Sequence, residues 1–556
     1  MKVTKLILGF GVALTMVSCG STKSTTANNS NKTVSATLAK MISVSATTVA
    51  KKGEMTEDEI RNWPHMDILT DSIPGMSTKR AYEFLKGKKG VTVIVGIADS
   101  GVDINHEDLK DVIWTNPNEI AGNGKDDDKN GLIDDIHGWN YLGTTVKEDL
   151  EYIRIIKNPS ITTTNEATRA KAFLDIKIKA AEAGKAQNEG MLLRVNNAHE
   201  SLTKHLGKAD YSKDDVAAIK TEDATLGQNV AVASQMLGYF KNMSDASDYF
   251  KGKIEESIEM LNGDNLKHNY RKQLGDNEED FSKKSYGNND VLTDAPHAMH
   301  GTHVSGTVAA SRNNGIGMDG IASNVKIMGV RVVPDGDEYD KDVALGIRYA
   351  VDNGAKVINM SFGKAYSPHS DWVYDAMKYA EKHDVLLVKA AGNSSENIDL
   401  PSYLHYPTDS PENGAKEIVD NVLTVGAMTR HYDKGLVASF SNYGKTRVDV
   451  FAPGLEIYST TPNNKYRSIQ GTSMASPAVA GVAALVRSYY PKLTASQVKH
   501  IIMESGIPYN GDVILPGSRT RENRDGKLVP FSEMSVNGRI LNAYNALVMA
   551  DKMSRK

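Results

Sequence analysis

Hydrophobic and polar positions change rhythm several times along the chain. Leu6 to Val17 is a nearly unbroken apolar run of 12 residues behind a basic start at Lys2 and Lys5. A bilayer-spanning helix needs about 20 such residues, so the run suits the apolar part of an export signal instead. From Gly20 to about Lys52 the chain is Ser, Thr, Asn, Ala and Lys with no aromatic residue, which predicts a flexible tether. After Gly90 the pattern tightens. Val91 to Ala98 is apolar at almost every position, and similar runs lie at 325–333, 356–360, 385–388, 422–425 and 448–451. Such runs predict strands buried on both faces of a parallel sheet. Between them lie amphipathic helices such as Lys341 to Asn353, with Val343, Ile347, Ala350 and Val351 on one face and Gly354 just past the end. The alternation predicts an α/β fold with a doubly wound, mostly parallel sheet. In such sheets functional groups gather at the carboxyl ends of the strands.

The stretch 146–284 breaks this rhythm. It has no strand pattern, and the spacing of Leu192, Val195, His199, Leu202 and Leu206, then of Ile254, Ile258 and Leu261, predicts an inserted all-α subdomain. The expected organisation is a signal over 1–19, a tether over 20–54, the α/β unit in two parts over 55–145 and 285–548, the insert over 146–284, and a tail over 549–556.

Composition narrows the class. The chain has 556 residues, 40% hydrophobic and 24% charged, and a net charge of −4. It can bury a large core without disulfides, and it lacks the basic footprint of a nucleic-acid binder. Its single cysteine, Cys19, closes the run Met16-Val17-Ser18-Cys19. This resembles the lipobox of bacterial lipoproteins, which implies that Cys19 is lipidated and becomes the mature N-terminus. The alternative is a buried free thiol behind an ordinary signal. The expected location is extracytoplasmic, anchored by lipid to a bacterial membrane. Gly20 in place of an aspartate favours the outer membrane.

Three segments carry chemistry. The first strand ends in Asp99-Ser100-Gly101, where a carboxylate can orient a histidine. His300-Gly301-Thr302-His303 opens a helix, and Gly471-Thr472-Ser473-Met474-Ala475-Ser476-Pro477 opens another. A serine hydroxyl attacks only when a histidine takes its proton and a carboxylate fixes that histidine. Taken singly, the segments also read as a turn, a pair of metal ligands or helix N-terminus, and an N-cap. Together, in the order Asp, His, Ser on an α/β pattern, they resemble the subtilisin-like serine proteases, the subtilase family. The serine segment matches the family motif at all seven positions, and the likeness extends over about Lys86 to Leu142 and Ser285 to Leu547.

The resemblance implies a triad of Asp99, His300 and Ser473. It also implies an oxyanion donor at Asn393, after the strand Val388 to Gly392, and a substrate-pairing wall at Ser361, Phe362 and Gly363. Two departures stand out. Asp99 and His300 are 201 positions apart because the insert lies between them, so Asn140 and Ser285 must be close in space. Between Gly20 and about Lys89 most of the chain reads as tether, so a conventional propeptide is expected to be absent or much reduced. The insert is expected to limit access to the site without supplying catalytic groups.

Oxygen ligands recur at Asp126, Asp128 and Asn130 before Gly131, with Asp134 and Asp135 following. This resembles the start of an EF-hand loop and suits a hard cation, with Asp126, Asp128, Asn130, the Leu132 carbonyl and Asp135 as ligands. An acidic solvated turn is the alternative. Family resemblance adds a second calcium site of the thermitase type, from the Asp108 carboxylate, the Asn314 side chain, and the carbonyls of Ser311, Ile316 and Met318. The expected function is an exported serine endopeptidase acting on proteins or peptides, with structural calcium and no organic cofactor. The rival expectation is a catalytically silent surface lipoprotein that binds protein partners through the helical insert.

Overall fold

A computed structural model describes residues 41–43, 50–411 and 416–555. Cys19, with the expected signal and most of the expected tether, lies outside them. The strands are β1 (Val93–Asp99), β2 (Gly138–Asn140), β3 (Val325–Arg331), β4 (Ala355–Met360), β5 (Leu386–Ala390), β6 (Val422–Met428) and β7 (Val450–Pro453). Then come β8 (Ile457–Thr461), β9 (Lys465–Ile469), β10 (Ile507–Pro508), β11 (Asp512–Ile514), β12 (Leu528–Pro530) and β13 (Arg539–Ile540). Nine of them form one sheet in the order β10-β13-β7-β6-β5-β4-β1-β3-β2. Every pairing is parallel except β10 against β13. This is the doubly wound α/β sheet that the alternation predicts.

The strands form where the apolar runs lie because both sheet faces are covered. On one face α8 (Met299–Ala309) and α11 (Thr472–Tyr489) pack Val304, Val479 and Leu485 against Val95, Val357 and Val388. On the other, α9 (Asp340–Asp352) and α10 (Ser370–Lys382) pack Ile347 and Met377 against Ile358 and Leu387.

From β1 the chain runs to β2 at the far edge, returns to β3 beside β1, then crosses to β4 on the other side. Winding therefore reverses at β1, and the crevice beyond its carboxyl end is where such sheets bind ligands. Asp99 is the last residue of β1.

Between β2 and β3 the insert holds α3 (Glu151–Lys157), α4 (Thr164–Leu206), α5 (Lys213–Ala217), α6 (Ala224–Met236) and α7 (Met243–Leu261). Val195 and Leu202 of α4 meet Val216, Met236 and Met243 in a core separate from the sheet. His199, on the same stripe, bonds the Tyr211 hydroxyl at 3.1 Å. The second stripe behaves differently from the expectation. Ile258 and Leu261 stay exposed, and α7 buries Met243 and Ala246 at its start, where α4 and α6 converge on it. The stems of the insert meet: Asn140 and Asn288 exchange both backbone hydrogen bonds at 2.9 Å.

Candidate active site

Asp99, 1% exposed, accepts through Oδ1 from His300 Nδ1 and from the Ser100 backbone N–H, each at 2.7 Å. His300 is the second residue of α8 and can lie this close because Gly301 follows it. A Cβ at Gly301 would sit 2.1 Å from the Gly101 carbonyl oxygen. Burial alone would lower the His300 pKa, but the Asp99 charge and hydrogen bond outweigh it and the net shift is upward. With Nδ1–H donated to Asp99, Nε2 carries the lone pair that a base requires. His303, one turn along, is different. Its Nε2 lies 2.9 Å from the Ile457 carbonyl and 3.1 Å from the Arg467 carbonyl, and burial pushes its pKa down to about 3. It serves as a neutral link to the β8–β9 hairpin and is not half of a metal-ligand pair.

Ser473 is the second residue of α11. Its hydroxyl donates to the Ser361 carbonyl at 3.1 Å, and the Ser361 hydroxyl donates to the Ser473 carbonyl at 2.8 Å. The Ser473 hydroxyl thus rests against the exit of β4. Asn393 follows β5. Its Oδ1 accepts from the Thr472 N–H at 2.8 Å and the Thr472 hydroxyl at 2.9 Å, which fixes the amide. Gly471, at φ +154°, keeps open the space that this amide faces. A Cβ there would lie 3.5 Å from both Asn393 Nδ2 and the Ser473 backbone N. The Asn393 amide and the Ser473 backbone N thus lie near one spot beside the Ser473 side chain, and two N–H donors so placed can stabilise an oxyanion.

Ser361, Phe362 and Gly363 leave β4 along one wall of a cleft of about 460 Å³ that also holds His300. Residues 333–338, leaving β3, form the facing wall, and Val146 at the root of the insert joins them. His405, which the sequence pattern did not single out, packs beside the cleft wall at Gly363. Its ring stands between the exits of β4 and β5, 2.1 Å from a Cβ placed on Gly363 and 2.9 Å from one placed on Gly392. Its Nδ1 is buried without a hydrogen-bond partner, and burial pushes its pKa down to about 3.

The acidic loop folds around a slightly different set of groups from the one its spacing suggests. Asp126 accepts from the backbone N–H groups of Asn130 and Gly131 at 3.0 and 2.9 Å, holding the turn. Asn130 donates its amide to Asp128 and Asp135 and accepts from the Leu132 N–H at 2.7 Å. The three carboxylates that gather are Asp128, Asp135 and Glu119, the last outside the loop's spacing. Glu119 Oε2 is buried with no hydrogen-bond partner, and burial, reinforced by the Asp128 charge, pushes Asp135 up to about 6. Crowded oxygen donors with an orphaned oxygen fit a hard divalent cation. At the second proposed site Asp108 is fully buried and accepts from Asn314 Nδ2 at 2.7 Å and the Met318 N–H at 3.2 Å. The Ser311 N–H donates to the Asp108 carbonyl at 2.9 Å, and the Ile316 N–H donates to Asn314 Oδ1 at 3.1 Å. These residues are brought together, with the Asn314 amide presenting its donor side to Asp108.

The profile of the subtilase family matches residues 90–528. A thermophilic serine proteinase of Bacillus sp. (strain AK1) is 44% identical over 192 residues, 34% of this chain and 42% of its own length. Subtilisin DY of Bacillus licheniformis is 41% identical over 202 residues, 36% of this chain and 68% of its own.

Proposed function

Because the chain belongs to the subtilase family, we propose that it is an exported serine endopeptidase working through Asp99, His300 and Ser473. The observation that carries this reading is the 2.7 Å bond from buried Asp99 to His300, in a cleft whose wall residue Ser361 holds the Ser473 hydroxyl at 3.1 Å. Ser473 Oγ attacks the scissile carbonyl while His300 Nε2 takes its proton. Asp99 holds the ring and stabilises the imidazolium that forms. The oxyanion is met by Asn393 Nδ2 and the Ser473 N–H. His300 then gives its proton to the leaving amine, and water releases the acyl-enzyme by the reverse path. The substrate is a protein or peptide that lies extended along Ser361, Phe362 and Gly363.

Calcium at Glu119, Asp128 and Asp135, and at the Asp108 loop, would tie surface segments to the sheet and supply stability, leaving the chemistry to the triad. A lipid on Cys19 would hold the enzyme at a bacterial membrane, the outer one by the reading of Gly20. A fluorophosphonate probe tests the central claim: one label per chain at Ser473 is expected, and none in Ser473→Ala. Labelling that persists in the variant, or a wild type that takes no label and cleaves no peptide, overturns it.

A further inference from the structure

In sequence, 146–284 looks like a module set beside the site, but its first helix bonds to both walls of the cleft. Glu151 opens α3, and its backbone N–H donates to Asp337 Oδ2 at 2.7 Å. Its carboxylate accepts from Lys364 Nζ at 2.6 Å, from Arg154 Nε at 3.0 Å and from Arg154 Nη2. Arg154 also donates to the carbonyls of Asp337 and Glu338, at 2.9 and 3.1 Å. Lys364 donates to the Glu338 carbonyl at 2.7 Å and pairs with Asp340 at 2.9 Å. Glu151, Arg154, Glu338, Asp340 and Lys364 are all buried. Just upstream, the Asp335 N–H donates to the Val146 carbonyl at 2.7 Å and the Glu148 N–H donates to the Asp335 carbonyl at 3.0 Å.

The placement of these bonds is what matters. Lys364 is the residue after Gly363, so it ends one wall. Asp335, Asp337 and Glu338 belong to the other. A single buried ion cluster, rooted in α3, therefore spans the gap that a substrate backbone would enter. Burying ions costs more desolvation than their attraction commonly returns, so such a cluster is a poor device for stability alone. It is a good device for fixing distances: a guanidinium forks in a plane, and Arg154 is further held with its carbon 3.7 Å from the centre of the Tyr339 ring.

We propose that Glu151 and Arg154 are positioning residues for substrate. They hold the two cleft walls at the separation an extended peptide requires, so the insert sets how much binding a longer substrate gains. The inference rests on the peptidase reading above. Backbone pairing along a wall is cumulative, and it is lost when the wall shifts by a fraction of a hydrogen-bond length.

The test uses the full-length enzyme with Glu151→Gln and, separately, Arg154→Lys, which keeps the charge and loses the fork. Folding is checked by a cooperative melt. kcat/KM is measured on a single-residue ester and on peptides carrying two to five residues before the cut. The expected result is that the gain from lengthening the substrate shrinks about tenfold or more, through KM, with the acid limb of the pH profile in place. A loss proportional on all substrates, or an unchanged length dependence, overturns the proposal. Hydrogen exchange at the amides of Asp335 and Lys364 provides a readout independent of activity. Both should lose protection together, and unchanged protection overturns the coupling even if the wild type proves inert, an outcome that by itself sinks the peptidase reading.

Discussion

Replacing Asn393 with leucine removes one N–H donor at nearly constant volume. The native amide cannot flip freely, because Oδ1 is held by the N–H and hydroxyl of Thr472 at 2.8 and 2.9 Å. Nδ2 is therefore the group that faces the space kept open by Gly471, with the Ser473 N–H as the second donor. Losing one such donor costs about 2.7–4 kcal/mol of barrier, roughly a hundred- to a thousandfold in kcat. KM should change little, since the ground-state carbonyl carries less charge than the transition state. Activity should not vanish, because Ser473 keeps its own N–H. The leucine also leaves the buried Thr472 donors without an acceptor, at a cost of about 1–3 kcal/mol in stability. Rates must therefore be taken well below the melting temperature and divided by active sites counted with a fluorophosphonate. A kcat within about threefold of wild type, or a loss confined to KM, refutes the assignment of Asn393.

Three further outcomes follow from the geometry. Asp99 raises His300 above its ordinary 6.5 despite the opposing effect of burial, and only the neutral ring can take a proton, so kcat/KM should fall as pH drops through a value above 6.5. Asp99→Asn should lower kcat by about 10⁴-fold and move that limb down; an unmoved limb assigns it to another group. A chelator should lower the melting temperature, because a cation at 100 times its Kd adds about 2.7 kcal/mol per site, and Glu119→Gln with Asp135→Asn should remove the first loop's share of that shift. An identical melt with and without chelator sinks the cation reading of both loops. His405→Gly should empty the space between Gly363 and Gly392 and raise kcat/KM about tenfold or more for a bulky side chain at the cut relative to a small one. Unaltered preference in cleavage-site profiling shows that the side chain goes elsewhere.

The strands of the large sheet were legible because burial on both faces makes them apolar at successive positions, a signal that needs no partner to be read. β2 has three residues, and β9 is mostly exposed, so neither leaves such a run. His300 and Ser473 stood out as candidates because a serine at a helix start among small residues, and a histidine before glycine, are local demands of packing and attack. Glu119 did not, since it reaches the acidic loop from outside the spacing that marks a turn. His405 did not either, because its place is set by where the exits of β4 and β5 meet. The link between Glu151 and Lys364 joins residues 213 positions apart, and no periodicity in either segment points to the other.

The same long-range bonds change what the insert is. Its distal helices have a core of their own around Val195, Leu202, Val216 and Met236. Its roots do not. Arg271, near the returning end, pairs with Asp342 of α9 at 2.6 Å and with Asp276 at 3.0 Å, and Lys341 pairs with Asp276 at 2.6 Å, all buried. Phe173 near the start of α4 packs against Tyr366, three residues beyond the cleft wall. Removing all of 146–284 would take Asp276 from Lys341, Arg271 from Asp342 and Glu151 from Lys364, leaving Lys364 with Asp340 and Asp342 with the Tyr286 hydroxyl. Orphaning one member of a buried pair costs about 3–5 kcal/mol, a large part of the stability of an ordinary domain. The separable part is the distal arm, where α4 and α7 run side by side and a Cβ on Gly184 would come 3.9 Å from Ser257 Oγ. What interrupts the sequence between Asp99 and His300 is thus two structures: an arm that projects, and a root that builds the cleft.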